Sequence, residues 1–430
     1  MNKRPKVVII GAGFGGLNAA LKLRCEPIDI VIIDKTNHHL FQPLLYQVAS
    51  AALSGADIAT PIREIFHSYN NVSVIMSEVV SIDKSANLIH LTHTDPIHFD
   101  YLIVAVGARH SYFGNKHWEE AAPGIKTLQE ALSLREEILM SFEIAERSSK
   151  LSEIERYLNF VIVGGGPTGV ELAGAIAEIA YKTMIKDFNR IDITKTKVFL
   201  IEAAPQILPG FHPKLCAVAK KDLEKLGVIV LTSTKVLEVT DEGVEAEGLC
   251  IPTKNVIWAA GNQASPLLKT LDVPLDRQGR VLVEKDLSIP GHSNIFVIGD
   301  AAGVIGKHGK PIPAVAPAAV QEGKYVAKII KKNFSKEKRP PFAYFDKGTM
   351  ATIGLYKAIA SIGPFTFSGF FAWLAWGGIH IAYLISYRNR FIVTLRWLMW
   401  LITGKRASRL ITGPLHESES VKVHSPTKWN

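Results

Sequence analysis

Val7-Val8-Ile9-Ile10-Gly11-Ala12-Gly13-Phe14-Gly15-Gly16 is the stretch that decides the fold. Four consecutive apolar, β-branched residues suit a strand buried on both faces. Leu17 to Leu23 carries a helical pattern. Between strand and helix sits G-x-G-x-x-G, and each glycine has a physical task there. Gly11 permits the tight turn, Gly13 lets the backbone approach a pyrophosphate, and Gly16 lets helix and strand pack closely. The helix N-terminus then presents free N–H groups and a positive dipole end to phosphates. A second strand, Ile28 to Ile33, ends at Asp34, whose carboxylate can accept hydrogen bonds from a ribose diol. Ala12, Phe14, Gly15 and Lys35 complete this first candidate site.

The pattern recurs. Phe160-Val161-Ile162-Val163 leads into Gly164-Gly165-Gly166-Pro167-Thr168-Gly169, and a helix is expected from Val170 to about Tyr181. Lys197 to Ile201 reads as a strand ending at Glu202. A carboxylate there suits a free 2′-hydroxyl and repels a 2′-phosphate, which favours NADH over NADPH. Two later strands, Tyr101 to Val106 and Asn255 to Ala260, close on Gly107 and Gly261 respectively. One fingerprint is weak; two complete units point to two bound dinucleotides.

A third signal separates the two sites. Asn294 to Ile298 is an apolar strand that runs into Gly299-Asp300-Ala301. This arrangement resembles the flavoproteins with two dinucleotide-binding domains. The resemblance implies that the first fingerprint holds FAD and the second NADH. It also implies that Asp300, with Ala301, contacts the flavin and that Asp34 binds the adenosine ribose.

Within that superfamily the segment Asn37-His38-His39-Leu40-Phe41-Gln42-Pro43-Leu44-Leu45-Tyr46-Gln47-Val48-Ala49 resembles the type II NADH dehydrogenases. So does Phe345 to Gly354. Ala316-Pro317-Ala318-Ala319-Val320-Gln321-Glu322-Gly323 stands where that family has its quinone-site helix. Many members carry Ala-Gln first and a second Gln one turn later; this chain has Ala316-Pro317 and then Gln321. The resemblance therefore implies a quinone contact at Gln321, with Ala316 and Pro317 beside it. It also marks Glu171 as the candidate catalytic residue, positioning substrate or relaying protons. Acids in a first helical turn are also stabilised by the dipole alone.

Composition narrows the partners. The 430 residues are 47% hydrophobic and 21% charged, which excludes disorder, collagen and coiled coil as the main state. Residues 323–430 hold 17 Lys and Arg against 4 Asp and Glu, whereas residues 1–322 hold 32 against 36. Residues 358–387 contain no charged side chain, and Phe391 to Thr403 is a second apolar stretch. Gly363-Pro364 and Gly369 interrupt the first stretch. Trp373, Trp376, Trp397 and Trp400 fall in these stretches, with Arg388, Arg390, Lys405, Arg406 and Arg409 around them. Tryptophan and arginine beside apolar residues suit a headgroup boundary, so two helices lying on the bilayer surface are expected. A single span and a soluble dimer hairpin are the competing readings. Nucleic acid is not expected, because the aromatics alternate with Leu and Ile rather than lining a basic groove.

Three cysteines (Cys25, Cys216 and Cys250), widely spaced and without CxxC, give neither a zinc site nor a paired thiol beside a flavin. They read as ordinary buried or semi-buried thiols, and no metal is expected. The sum is an α/β chain with two Rossmann-like dinucleotide-binding domains, the NADH domain inserted in the FAD domain, plus C-terminal amphipathic membrane-anchoring helices. The expected bounds are 1–115 and 271–340 for the FAD domain, 116–270 for the NADH domain and 341–412 for the anchor. A polar tail, 413–430, is expected to be disordered. The expected activity is a non-proton-pumping NADH:quinone oxidoreductase, peripheral on the cytoplasmic face of the inner membrane, and the resemblance is compatible with a homodimer. A sulfide:quinone reductase-like protein and a slow, membrane-bound NADH sensor are the alternatives.

Overall fold

A computed structural model describes residues 4–404, 406 and 408–412. The tail 413–430, with Lys405 and Ala407, lies outside the described residues. In chain order the elements that position the site begin with β1 (Lys6–Ile10), α1 (Phe14–Leu23), β2 (Asp29–Asp34), α2 (Leu45–Ala49), β3 (Val72–Met76) and β4 (Tyr101–Val104). Next come β5 (Asn159–Val163), α3 (Pro167–Glu178), β6 (Lys197–Ile201), β7 (Val228–Leu231) and β8 (Asn255–Trp258). Then follow β9 (Ser288–Ile289), β10 (His292–Val297), α4 (Ala316–Lys331), β11 (Thr349–Thr352), β12 (Ala358–Ile362) and β13 (Phe365–Gly369). Two helices, α5 (Phe370–Tyr383) and α6 (Tyr387–Thr403), end the regular structure.

The described residues form two compact units. The first comprises the chain up to Leu40, Ala59–Arg109 and Asn262–Lys347. Its sheet has the order β9-β10-β4-β1-β2-β3, parallel except for the β9 edge. Val7, Val8 and Ile9 are fully buried at its centre, as both-face burial in a parallel sheet requires. α4 packs on α1 with Gly323 against the Gly15 backbone; a Cβ on Gly323 would lie 2.2 Å from the Gly15 carbonyl oxygen.

The second unit comprises Phe41–Ile58, His110–Gly261 and Gly348 onward. Its parallel sheet has the order β7-β6-β5-β8, the same arrangement in smaller form. The helix expected from Val170 starts three residues earlier, at Pro167, because proline is already shaped for a first helical turn. A π-turn at Ile179–Thr183 and a 3-10 turn at Ile193–Lys195 lie between α3 and β6, which explains the long interval before Glu202.

The C-terminal region differs from expectation in three ways. The first half of the charge-free stretch is not helical: β12 and β13 form a hairpin of the antiparallel sheet β11-β12-β13. Gly363, at φ +58°, and Pro364 make its turn. Only α5 and α6 are helices. Trp373, Trp376 and Trp397, expected at a headgroup boundary, are buried instead, with Trp376 and Trp397 stacked 5.2 Å apart. Exposed apolar side chains on these helices include Phe371, Leu374, Phe391, Leu398, Met399 and Ile402. Finally, Arg406, expected among lipid-facing cations, is buried against Glu178. Of the cysteines only Cys216 is buried; Cys25 and Cys250 are exposed, a correction to the expected burial, and all three are free. Among the described residues no group of three or more metal-ligating side chains occurs, and no helix is long and apolar enough to cross a membrane.

Candidate active site

The two glycine loops have matching stereochemistry. Gly11 and Gly164 adopt φ of +95° and +110°, a region closed to side chains by strain and here also by contact. A Cβ on Gly11 would meet the Ala105 carbonyl oxygen at 2.4 Å, and one on Gly164 the Ala260 nitrogen at 2.7 Å. A Cβ on Gly16 or Gly169 would sit 1.9 Å from the carbonyl oxygen of Gly11 or Gly164. In contrast, nothing lies within 4 Å of a Cβ built on Gly13 or Gly166. The loops are thus tight where helix meets strand and open where a phosphate would approach.

Each loop is tied by the acid at the end of the next strand. Asp34 Oδ2 accepts the Ala12 N–H at 2.7 Å, and its Oδ1 accepts from Thr36. Glu202 Oε2 accepts the Gly165 N–H at 2.6 Å, and its Oε1 accepts the Ala204 N–H at 2.7 Å. The second carboxylate therefore stands in the register its sequence position suggested. Lys35, next to Asp34, is exposed. Gly107 and Gly261, just beyond the ends of β4 and β8, adopt the left-handed conformation, at φ +65° and +74°.

His39 is a site residue to which the sequence pattern assigned no role. Its Nδ1 donates to the Ala12 carbonyl at 2.7 Å, so the Ala12 peptide is held on one side by Asp34 and on the other by His39. The Nδ1 proton fixes the tautomer, leaving Nε2 as an acceptor. That nitrogen is buried and has no hydrogen-bond partner. Burial pushes the imidazole down to about 4, so it is neutral.

At the end of β10, Gly299 turns at φ +68° and donates its N–H to Glu322 at 2.5 Å. Glu322 is buried on α4, and that burial raises its carboxyl to about 7. It thereby holds the turn that carries Asp300 and the buried Ala301. Ala316 and Pro317 form the first turn of α4, where proline costs no hydrogen bond. Gln321, one turn on, uses both ends of its amide on Phe345: Oε1 accepts the Phe345 N–H and Nε2 donates to its carbonyl, each at 2.9 Å.

Glu171 projects from the second turn of α3, not the first, so the helix dipole does little for it. Gly174 lets β11 approach α3 closely: a Cβ there would meet the Gly354 nitrogen at 2.9 Å. This brings Thr352 to Glu171, whose Oε1 accepts the Thr352 N–H at 3.3 Å. The Thr352 hydroxyl also bonds the carboxylate, but burial dominates and raises Glu171 to about 8. Tyr46, two residues beyond the Gln42-Pro43-Leu44 turn, reaches Thr352 Oγ1 at 2.9 Å.

Residues 5–323 match the pyridine nucleotide-disulphide oxidoreductase family, and residues 347–406 match the NDH2 C-terminal domain. A type II NADH:quinone oxidoreductase of Mycobacterium tuberculosis is 45% identical over 95% of this chain and 91% of its own length. The chain belongs to the type II NADH dehydrogenase family. An NDH2 structure from Plasmodium falciparum, determined with NADH, superposes with a TM-score of 0.87 at 22% identity, covering 94% of this chain and 99% of that one. The sulfide:quinone oxidoreductase of Aquifex aeolicus shares the fold more distantly, with a TM-score of 0.71 at 20% identity over 90% of this chain and 91% of that one.

Membership in the type II family places the C-terminal sheet and helices inside a recognised module, yet its internal wiring is visible only in three dimensions. Tyr46, Gln47, Ser50, Glu178, Gly354 and four tryptophans line a small cleft of about 10 Å³, roughly the room of one water. Arg406 spans its base, donating to the Ser50 carbonyl at 2.6 Å and to Glu178 at 3.2 Å. No spacing rule links residue 46 to 352, or 178 to 406.

Proposed function

We propose that this protein is an FAD-dependent, non-proton-pumping NADH:quinone oxidoreductase that works at a membrane surface. The observation that carries the reading is the pair of matched glycine cradles, each tight at two glycines, open at one, and tied by a carboxylate. FAD fits the first: Gly13 leaves room for a pyrophosphate, and the buried, unpartnered Nε2 of His39 offers an acceptor. Bound FAD supplies the redox chemistry, taking a hydride from NADH and returning two electrons to quinone.

The chain's own residues bind and orient. Gly11 to Gly16 and the N-terminus of α1 hold the FAD pyrophosphate, Asp34 and Lys35 the adenosine end, and Gly107, Asp300 and Ala301 the flavin end. Gly164, Gly165, Gly166 and Gly169 hold NADH, with Glu202 on the 2′-hydroxyl and Gly261 closing the site. Glu171, poised near neutrality, holds or releases a proton at its carboxyl oxygens. Ala316, Pro317 and Gln321 belong to the quinone side; Gln321 acts there by fixing the Phe345 backbone. The exposed apolar faces of α5 and α6, with the C-terminal excess of cations, support docking on an anionic cytoplasmic leaflet.

The test is anaerobic flavin bleaching on the detergent-purified holoenzyme. NADH in slight excess bleaches the flavin, and a short-chain quinone restores its absorbance rapidly. Bleaching without recovery would overturn the quinone assignment; no bleaching would overturn the NADH site.

A further inference from the structure

We infer that Trp397, Gln47 and Tyr46 form a one-way chain of hydrogen-bond donors that ends on Glu171, so that the C-terminal helix α6 positions and tunes the carboxyl proposed to handle the proton. The inference rests on the functional reading of Glu171 above. Its geometry lies wholly within the second unit.

The direction of every bond follows from donor and acceptor inventories. The Trp397 indole can only donate, and it does so to Gln47 Oε1 at 2.8 Å. That contact orients the Gln47 amide, whose Nε2 donates to the Tyr46 hydroxyl at 3.0 Å. With Glu171 ionised the Thr352 hydroxyl proton goes to the carboxylate, so Tyr46 Oη sends its single proton to Thr352 Oγ1, 2.9 Å away. The Thr352 hydroxyl, already accepting, bonds the Glu171 carboxylate. All four donor side chains, Trp397, Gln47, Tyr46 and Thr352, are buried, so water does not scramble the order.

Such a chain favours one protonation state. It delivers a hydrogen to the Glu171 oxygen, which an ionised carboxylate welcomes. A protonated Glu171 that donated to Thr352 Oγ1 would compete with the Tyr46 proton for the same oxygen. The chain therefore opposes burial, which by itself drives Glu171 toward the neutral form. The surrounding charges reinforce the order. Tyr46 of α2 is held protonated by burial and by Glu171. Arg406 faces both Tyr46 and Glu178, the latter two turns along α3 from Glu171. His380 of α5 stacks on Trp376, is kept neutral by burial, and adds no charge beside Trp397.

The experiment titrates Glu171 in the holoenzyme and in Tyr46→Phe and Trp397→Phe variants. The carboxylic C=O infrared band assigned by its loss in Glu171→Gln gives the midpoint, and the pH profile of kcat gives a second reading. Without the donor chain the midpoint rises by about half to one pH unit in Tyr46→Phe. In Trp397→Phe, where the Gln47 amide is free to turn, it rises by less. Far-UV circular dichroism and flavin content confirm that each variant is folded. Identical infrared midpoints in all three proteins, or a downward shift, would overturn the donor chain. If the wild-type protein shows no NADH:quinone turnover, the functional reading falls, while the infrared midpoints still decide the chain.

Discussion

Asp34 and Glu202 perform the same act in the two halves of the molecule: each accepts a glycine-loop N–H, at 2.7 and 2.6 Å, with one carboxylate oxygen. Each acid is thus a structural strut for its own glycine loop, besides the ribose contact proposed for it. Substitution there has two consequences, one on specificity and one on affinity. Glu202→Ala is expected to lower the NADH over NADPH preference by roughly tenfold, because a 2′-phosphate is no longer repelled. It should also raise KM for NADH, because Gly165 loses its tie. Glu202→Gln retains an oxygen for Gly165 and should separate the two effects. Steady-state kcat/KM with both cofactors is the measurement, and an unchanged ratio in the alanine variant would remove Glu202 from the nucleotide site.

His39 gives a prediction for the first site. Its Nδ1 shapes the loop and its Nε2 awaits a donor. His39→Leu removes both, and His39→Asn keeps a short donor toward Ala12. FAD affinity should fall by about tenfold in the leucine variant, as expected when one buried hydrogen bond is lost. Flavin content after gel filtration and titration of stripped protein with FAD are the readouts. Full retention of flavin in both variants would show that Nε2 meets no group of the dinucleotide.

How much of this was legible in the sequence depends on distance along the chain. The loops, Asp34, Glu202 and the Gly299-Asp300 turn were legible because a strand, a glycine run and a helix fix their geometry within a few residues. Ties such as Gln321 to Phe345, Tyr46 to Thr352 and Arg406 to Glu178 were not, since each joins residues that no periodicity relates. In the C-terminal region the two helices were legible, but the hairpin before them was not. A stretch without charges looks helical or membranous by hydropathy, yet Gly363 and Pro364 make it a hairpin whose strands are covered by α5. The same hydropathy placed the tryptophans at a lipid boundary, whereas their indoles fill the unit's interior and leave phenylalanine and leucine outside.

Two buried carboxyls set the pH dependence of stability. Burial raises Glu171 to about 8 and Glu322 to about 7. Both folded values lie above the ordinary carboxyl value, so the fold prefers their protonated forms. That preference is fully present below the unfolded pKa of about 4.3 and is lost as pH rises through the folded values. Between about pH 4.5 and 6.5 the buried His39 and His380, both pushed down to about 4, contribute the opposite slope and offset the carboxyls, so thermal stability should decline chiefly between about pH 6.5 and pH 8. Glu171→Gln and Glu322→Gln should each flatten the decline, and the double variant should flatten it further. A Tm that falls equally steeply with pH in the double variant would assign the dependence to other groups.

The buried pair of Arg406 and Glu178 gives the largest expected stability effect. The two side chains are 0% and 4% exposed, 3.2 Å apart, with the guanidinium 4.9 Å from the Trp400 ring. Glu178 also accepts the Leu355 N–H at 2.7 Å, so it serves both the turn after β11 and Arg406 beyond α6. Arg406→Met removes the buried cation and leaves Glu178 with only the exposed Lys182, 3.4 Å from its Oε1. The expected cost is about 3 kcal/mol, the lower end for a broken buried pair, since Lys182 still offsets part of the remaining charge. Arg406→Met combined with Glu178→Gln should recover much of it, because no unpaired charge then remains, although the Leu355 tie weakens. Chemical denaturation of the flavin-loaded proteins distinguishes the cases. If the double variant were no more stable than the single one, packing of the arginine against Trp400, rather than its charge, would be what holds Arg406 in place.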